Sequence, residues 1–472
     1  MARRTAAQPR LALLAGALAL AGCAALPVEA TDTTAGVTVP PRWHASDAAP
    51  RDAGSLAQWW QRFGDPTLTA LVEQALRANT SVASAQAALR QARALVQVQQ
   101  ARLGPSLDAS ASAQRSRSGG AGASNLFRAG FDAGWEPDVF GGQRATRDAA
   151  ALDAEASAAS LGDVQVSVAA EVAQSYITLR SAERRLVIAR ENLGSQEETL
   201  RITQWRVQAG LATSLEAEQA RTAVEQTRAQ VPALQTAIAQ ARHQLALLTG
   251  RTVAELSLPQ GGDVPQPADE LALAFPADTL RQRPDVRAAE ARVGAAAQRV
   301  VQAEAARYPS FSLSGTLGLS ALTLSGLTGG GAAAGSLLAG VSLPLFDGGA
   351  LRAQADAQQA ALEQARAGHR GTVLAALKDV EDALVALQGD RERLARLRAA
   401  AEAADNAALL ARQRYASGLV DFQTVLTTQR TQLSAQDSVA SGHADVASDH
   451  VRLFKALGGG WTPLPATGNR NP

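Results

Sequence analysis

Apolar positions along the chain follow two different periods. From Val172 an apolar residue returns at every seventh position, through Leu179, Leu186, Leu193, Leu200 and Val207, and the same spacing runs through Val380, Leu387, Leu394, Ala401, Ala408 and Tyr415. A sustained heptad predicts long helices packed as coiled coils, and the Ala and Gln crowded around the seam suit close approach on two sides. A helix over 142–209 would measure roughly 100 Å at 1.5 Å per residue, several times the width of a small domain.

Elsewhere the period is two. Leu107, Ala109, Ala111 and Ala113 alternate with Asp108, Ser110, Ser112 and Gln114, and Phe127, Ala129, Phe131, Ala133 and Trp135 alternate with Arg128, Gly130, Asp132, Gly134 and Glu136. Phe311, Leu313, Leu317 and Leu319 face away from Ser312, Ser314, Thr316 and Ser320, and Leu337, Ala339, Val341 and Leu343 supply a fourth strand. Each strand offers about 9 to 11 residues, the length a tilted strand needs to cross a bilayer. Gly119-Gly120 and the run Gly329-Gly330-Gly331 mark the turns between strands. A soluble hairpin packed on helices gives the same alternation, but a uniformly small, polar second face suits a water-filled lumen.

These elements occur twice, about 200 residues apart. Leu76-Arg77 returns as Leu280-Arg281, Val82 as Val286, Pro105-Ser106 as Pro309-Ser310, Arg206 as Arg414 and Gly210-Leu211 as Gly418-Leu419. A period this long indicates a duplicated half rather than a solenoid. The expected first repeat covers 61–260, with a helix, a hairpin at about 105–138, a long helix over 142–209 and a return helix over 212–250. After a linker at 261–283, the second covers 284–457, with a helix, a hairpin at about 309–345, a long helix over 349–417 and a return helix over 421–457. Residues 458–472 form a tail.

The fold class is therefore an α+β membrane protein of mainly long coiled-coil helices with four transmembrane strands per chain. Four strands cannot close a sheet in lipid, where an open edge leaves backbone groups unpaired at a cost of several kcal/mol each. Copies must pool strands, two giving eight and three giving twelve, and helices that continue from the strands would prolong the cylinder into a conduit.

At the N-terminus, Arg3, Arg4 and Arg10 precede an apolar run from Leu11 to Leu20 that ends Leu20-Ala21-Gly22-Cys23. The run is too short to span a bilayer and suits a secretory signal over 1–22. It resembles a bacterial lipobox, which implies that Cys23 becomes the acylated, palmitate-bearing first residue of a mature lipoprotein. Ala24 after the cysteine implies an outer-membrane destination. Residues 23–60, rich in Pro, Thr, Ala and Asp, read as an extended tether, with the folded body beginning near Trp59.

Composition narrows the chemistry. The formal charge of +1, from 45 Lys and Arg against 44 Asp and Glu, leaves no electrostatic footprint for nucleic acid. A single cysteine excludes internal disulfides and cysteine-rich zinc sites. None of His44, His243, His369, His443 and His450 has the spacing of a metalloprotease helix; His443 and His450, near Asp445 and Asp449, read as an interhelical polar face. No catalytic cluster, metal site or cofactor site is expected.

Several blocks carry a resemblance. Trp60, Phe63, Asp65, Pro66, Leu68, Leu71, Ala75, Leu76 and Asn79 resemble the entry block of the outer-membrane efflux lipoproteins, the NodT branch of the TolC-like outer-membrane factors. Trp135-Glu136-Pro137-Asp138-Val139-Phe140-Gly141 and Pro344-Leu345-Phe346-Asp347-Gly348-Gly349 are similar to that family's strand-to-helix junctions, and Arg414-Tyr415-Ala416-Ser417-Gly418 to its second helical turn.

The resemblance implies a homotrimer with a twelve-stranded β-barrel in outer-membrane lipid and a long periplasmic α-barrel. It also implies a periplasmic adaptor (a membrane fusion protein) as partner, with an inner-membrane pump of the resistance-nodulation-division (RND) type reached through it. The adaptor-docking turns would lie at Gly210-Leu211 and Gly418-Leu419. At the periplasmic aperture, many relatives carry an aspartate nine residues after the turn glycine; here that position is Thr427. Tyr415, Asp421, Thr424 and Thr427 are the aperture candidates.

Two other readings use the same features. One is a lipid-anchored periplasmic coiled-coil scaffold or adaptor. The other keeps the outer-membrane duct but assigns it to a type I secretion or heavy-metal export system.

Overall fold

A computed structural model describes residues 35–44, 56–117, 119, 122–259, 261–267 and 276–462. Cys23 and the signal segment lie outside the described residues. The chain forms two compact units, one taking Leu89–Ser157 and Ala289–His369, the other Thr33–Ala88, Ala158–Ala288 and Arg370–Pro472.

In chain order the helices and strands are α1 (Pro66–Ala78), α2 (Thr80–Arg102), β1 (Ser106–Ser116), β2 (Ser124–Trp135), α3 (Gly142–Gln208) and α4 (Ser214–Leu248). The second half repeats the series as α5 (Pro276–Gln282), α6 (Pro284–Ala305), β3 (Ser310–Ala321), β4 (Ala333–Ser342), α7 (Ala350–Ala416) and α8 (Phe422–Ala456). A 3-10 turn at Trp59–Phe63 precedes α1, and another at Ser325–Thr328 lies in the β3–β4 connection.

The single helix expected before the first hairpin is two helices, α1 and α2; in the second half α5 lies within the stretch expected as a linker over 261–283, ahead of the single helix α6. The first break falls at Asn79, whose side chain accepts the Ser81 N–H at 2.8 Å and donates to the Leu248 carbonyl at 2.9 Å, at the end of α4. The second break falls at Arg283, which donates to the Ala456 carbonyl at 2.9 Å, at the end of α8. Different side chains thus make the same tie in each half: the break residue satisfies a C-terminal carbonyl of the return helix, one of the four that a helix leaves open.

The helical unit buries its core around Trp59, Trp60 and Phe63, with Leu68 and Val72 of α1, Val172, Tyr176 and Leu179 of α3, and Leu453 and Phe454 of α8. Trp59 stacks on Phe454 with centroids 5.0 Å apart. Asp65 serves two elements. Its carboxylate caps α1 by accepting the N–H of Thr67 and Leu68, Pro66 supplies the pre-set first helical residue, and the Tyr176 hydroxyl donates to it at 2.7 Å. Burial, with the Asp65 carboxylate alongside, pushes the Tyr176 hydroxyl up to about 12.

The tether expected over 23–60 is not wholly free of the folded body. Trp43 is buried in the main core, and Ala35, Val37 and Val39 pack beside Leu280, Val286 and Val373. Extended chain that packs by isolated side chains leaves no periodic signal, so composition alone reads as a linker.

In the other unit the four strands form one antiparallel sheet in the order β1-β2-β3-β4. Leu107 pairs with Ala133, Phe131 with Leu317 and Leu313 with Ala339, so odd-numbered residues of all four strands share a face. That face carries Phe127, Phe131, Trp135, Phe311, Leu317 and Val341. The other carries Asp108, Ser110, Asp132, Ser312, Thr316 and Ser336, with Leu126 and Leu338 as exceptions. Polar pairs bridge strands on it: Ser110 donates to Asp132 at 2.8 Å, and the Thr316 and Ser336 hydroxyls lie 2.8 Å apart. At its centre Gly130 opposes Gly318, and a Cβ on Gly130 would stand 2.8 Å from the Gly318 Cα. Only glycine permits that approach. Among the described residues β1 and β4 are edges, each paired on one side only.

Candidate functional site

The expected docking turns join α3 to α4 and α7 to α8, and they are built alike. In the first, the Gly210 N–H donates to the Val207 carbonyl at 3.0 Å and the Leu211 N–H to the Arg206 carbonyl at 2.7 Å. In the second, Gly418 donates to Tyr415 at 3.0 Å and Leu419 to Arg414 at 2.9 Å. Both are Schellman endings, and both glycines sit at φ 73°, where a side chain would be strained.

Such an ending ordinarily packs its outermost apolar residue against the helix residue five positions back. Here that residue is Arg206 or Arg414, and Leu211 and Leu419 remain 70% and 74% exposed. The return helices are then capped on the spot. Thr213 and Glu216 form a capping box before α4, and Asp421 accepts the Thr424 N–H at 2.8 Å before α8. The tight caps hold the two leucines outward at the end of rigid helices.

The aperture candidates divide. The Tyr415 ring is half-buried, 5.6 Å from the Phe422 ring, with the Arg206 guanidinium 4.6 Å from its centroid. Burial raises the Tyr415 hydroxyl above the usual phenol range, against the pull of Arg206. Together with Leu200, Ala220, Ala223 and Leu426, these rings form a small core that fastens the two helix pairs near their turns. Asp421 is held by Thr424, whose hydroxyl and backbone N–H keep its carboxyl below the usual range. Thr427 sits about one turn beyond Thr424 on the exposed side of α8.

Sequence reasoning missed Arg206 as a partner of Tyr415 because it entered only as a repeat marker. It also missed Trp205, 65% exposed beside the turn, whose signal was a large apolar residue off the heptad.

Away from the turns, the interior between helices becomes polar. Asn192 donates to Gln436 at 2.8 Å, Gln429 to Thr199 at 3.0 Å, and Gln432 and Gln436 both to Asp405. On α3 the leucine seam is only half-buried from Leu193 onward, while the neighbouring Asn192, Gln196 and Thr203 are buried; on α7 Leu394, Ala401 and Ala408 stay buried. His443 and His450 face Arg398 and Arg391 of α7 at 3.1 Å, an interhelical arrangement. Among the described residues no group of three potential metal ligands assembles, and no helix is long and apolar enough to cross a membrane.

A family model described as outer membrane efflux protein matches residues 71–251 and 275–459, the two halves of the repeat. The chain belongs to the outer membrane efflux protein family. Efflux family members related to it include the pyoverdine export outer membrane protein OpmQ of Pseudomonas aeruginosa, 32% identical over 475 residues, covering 96% of this chain and 97% of OpmQ. The outer membrane protein OprJ of the same organism is 32% identical over 455 residues, covering 94% of each chain. The solved structure of the outer-membrane channel OprN superposes with a TM-score of 0.87 at 34% identity, covering 93% of this chain and all of that one. The TolC-like fold class, the efflux function and the outer-membrane setting expected from the sequence are those of this family, whose members are transport ducts rather than enzymes.

Proposed function

We propose that this chain is the outer-membrane exit duct of a tripartite efflux system, assembled as a homotrimer. The observation that carries the reading is the four-stranded sheet with an apolar face, a polar face and two unpaired edges. Such a sheet is stable in lipid only when its edges are joined to those of other copies. Three copies give twelve strands, with the apolar face toward lipid and the Ser, Thr and Asp face toward the lumen. Leu211 and Leu419 supply the apolar anchors for a periplasmic adaptor, through which an inner-membrane pump of the RND type delivers its cargo. Cys23, lipidated after removal of 1–22, tethers each chain to the outer membrane.

The duct itself is passive. A lumen lined chiefly by small Ser and Thr hydroxyls and by glycine, with scattered charges at Asp108, Arg128 and Asp132, offers little selectivity, so the pump sets the substrate. A soluble periplasmic scaffold has no use for a sheet with one face of Phe, Trp, Leu and Val turned outward, and this disfavours that alternative.

Fractionation with gel migration before and after heating tests the reading. A membrane-bound band that needs detergent for release and runs as a trimer until boiled is expected, together with increased drug susceptibility on deletion. Monomers released without detergent would overturn it.

A further inference from the structure

The two strand-to-helix junctions of the sheet unit are chemically alike and differently covered. Between β2 and α3 the chain reads Pro137-Asp138-Val139-Phe140-Gly141-Gly142, and between β4 and α7 it reads Pro344-Leu345-Phe346-Asp347-Gly348-Gly349. In each, an aspartate caps the long helix. Asp138 accepts the N–H of Gln143 and Arg144 at 3.1 and 2.8 Å, and Asp347 accepts those of Gly349 and Leu351 at 2.9 and 2.8 Å.

The aromatic of the first junction is covered within the chain. Phe140 stacks on Tyr308 with centroids 5.0 Å apart and lies 6.4 Å from Phe311. Tyr308 leads into β3 and Phe311 is its second residue, β3 being the strand that continues the sheet beyond β2. At the second junction Leu345 and Phe346 are 90% and 93% exposed, and among the described residues no strand continues the sheet beyond β4. The opposite edge has the complementary deficit. Leu107 occupies in β1 the place that Phe311 holds in β3, second in its strand after Pro-Ser, and it is likewise exposed. Gly104 stands where Tyr308 stands in the second half, and a Cβ there would meet nothing nearer than the Ala101 carbonyl at 3.6 Å. The approach to β1 thus has an open floor where the approach to β3 has a ring.

We propose that Leu345 and Phe346 form a latch between copies of this chain, seated on Gly104 and Leu107 of the adjoining copy, whose β1 continues the sheet beyond β4. The latch reproduces between chains the contact that Phe140 makes within one. It rests on the oligomeric-barrel reading above and adds to it the side chains that lock the joint. Its register has a fixed parity: Leu337, Ala339 and Val341 of β4 stand opposite odd-numbered residues of β1, because a one-residue slip would turn Asp108 and Ser110 onto the apolar face. An exposed Phe346 left to lipid or water would leave Leu107 and Gly104 of the other edge bare as well.

The test uses the full chain in outer-membrane extracts, with Leu345→Cys and Leu107→Cys combined and a short bifunctional thiol cross-linker. Covalent dimers and trimers are expected in the double variant and in neither single variant, which controls for the native Cys23. Phe346→Ala is expected to lower the temperature at which the oligomer dissociates, with Phe346→Leu partly restoring it. An oligomer that survives unheated gels, gives no cross-link and is unmoved by Phe346→Ala would overturn the latch while leaving the barrel reading intact. A chain that is monomeric before heating would overturn both.

Discussion

The guanidinium of Arg206, at the end of α3, lies over the ring of Tyr415, at the end of α7, 4.6 Å from its centroid. One cation–π contact thereby joins the last turns of the two long helices, and Phe422 on α8 closes the cluster at 5.6 Å. The contact has no counterpart under the repeat, since the residue matching Tyr415 in the first half is Val207. Two similar helical hairpins are thus fastened asymmetrically, by the Arg206 cation and the Tyr415 and Phe422 rings.

If this cluster holds the periplasmic end narrow, weakening it opens the duct. Tyr415→Ala and Arg206→Ala are each expected to raise single-channel conductance of the purified protein in planar bilayers, whereas Tyr415→Phe, which keeps the ring, leaves it unchanged. Asp421→Ala removes the cap of α8 and is expected to act in the same direction. Conductance unaltered in all of them would locate the constriction elsewhere.

Leu211 and Leu419 are exposed at turns whose backbone is already satisfied, so replacing them costs the fold little. Leu211→Ser and Leu419→Ser are expected to leave the oligomer intact on unheated gels. Burial of a leucine contributes about 1.5–3 kcal/mol, so each change should weaken adaptor binding by at least about tenfold. Co-purification with a periplasmic adaptor of a tripartite efflux system checks this; full retention by the double variant would exclude the turns as anchors.

Asp449 is wholly buried on α8, where burial pushes its carboxyl up to about 6, with Arg452 pulling down and the neighbouring Asp390 pushing up. The unfolded group ionises near 3.8. Between those values the folded protein holds more protons than the unfolded chain, so Asp449 makes stability fall as pH rises from about 4 to 6. Asp449→Asn is expected to flatten that part of the profile and to raise thermal stability above pH 6. Melting curves across this range measure it, and an unchanged slope would refute the assignment.

Gly130 and Gly318 meet backbone to backbone in the centre of the sheet. Gly130→Ala is expected to reduce the amount of oligomer reaching the outer membrane, because its Cβ would press on Gly318 and the Leu317 carbonyl at 2.8 Å. Gly134→Ala, whose Cβ would meet only the Ser106 hydroxyl at 3.6 Å, serves as the tolerated control.

Much was legible in the sequence because it is written in local periods. The heptad from Val172 to Val207, the two-residue alternation from Phe127 to Trp135 and the return of Gly210-Leu211 as Gly418-Leu419 each express a geometry set by neighbouring residues: helix, strand or helix end. These determined the elements, their duplication and the shortage of strands that compels assembly. Contacts between residues far apart in the chain leave no such trace. That Asn79 and Arg283 make one tie with different chemistry, that Trp43 enters the core, that Arg206 finds Tyr415, and that Phe140 is covered while Phe346 is bare were decided only by the tertiary structure. Each depends on which surfaces the packed helices and the sheet bring within a few ångströms, a non-local condition that no repeat in the sequence encodes.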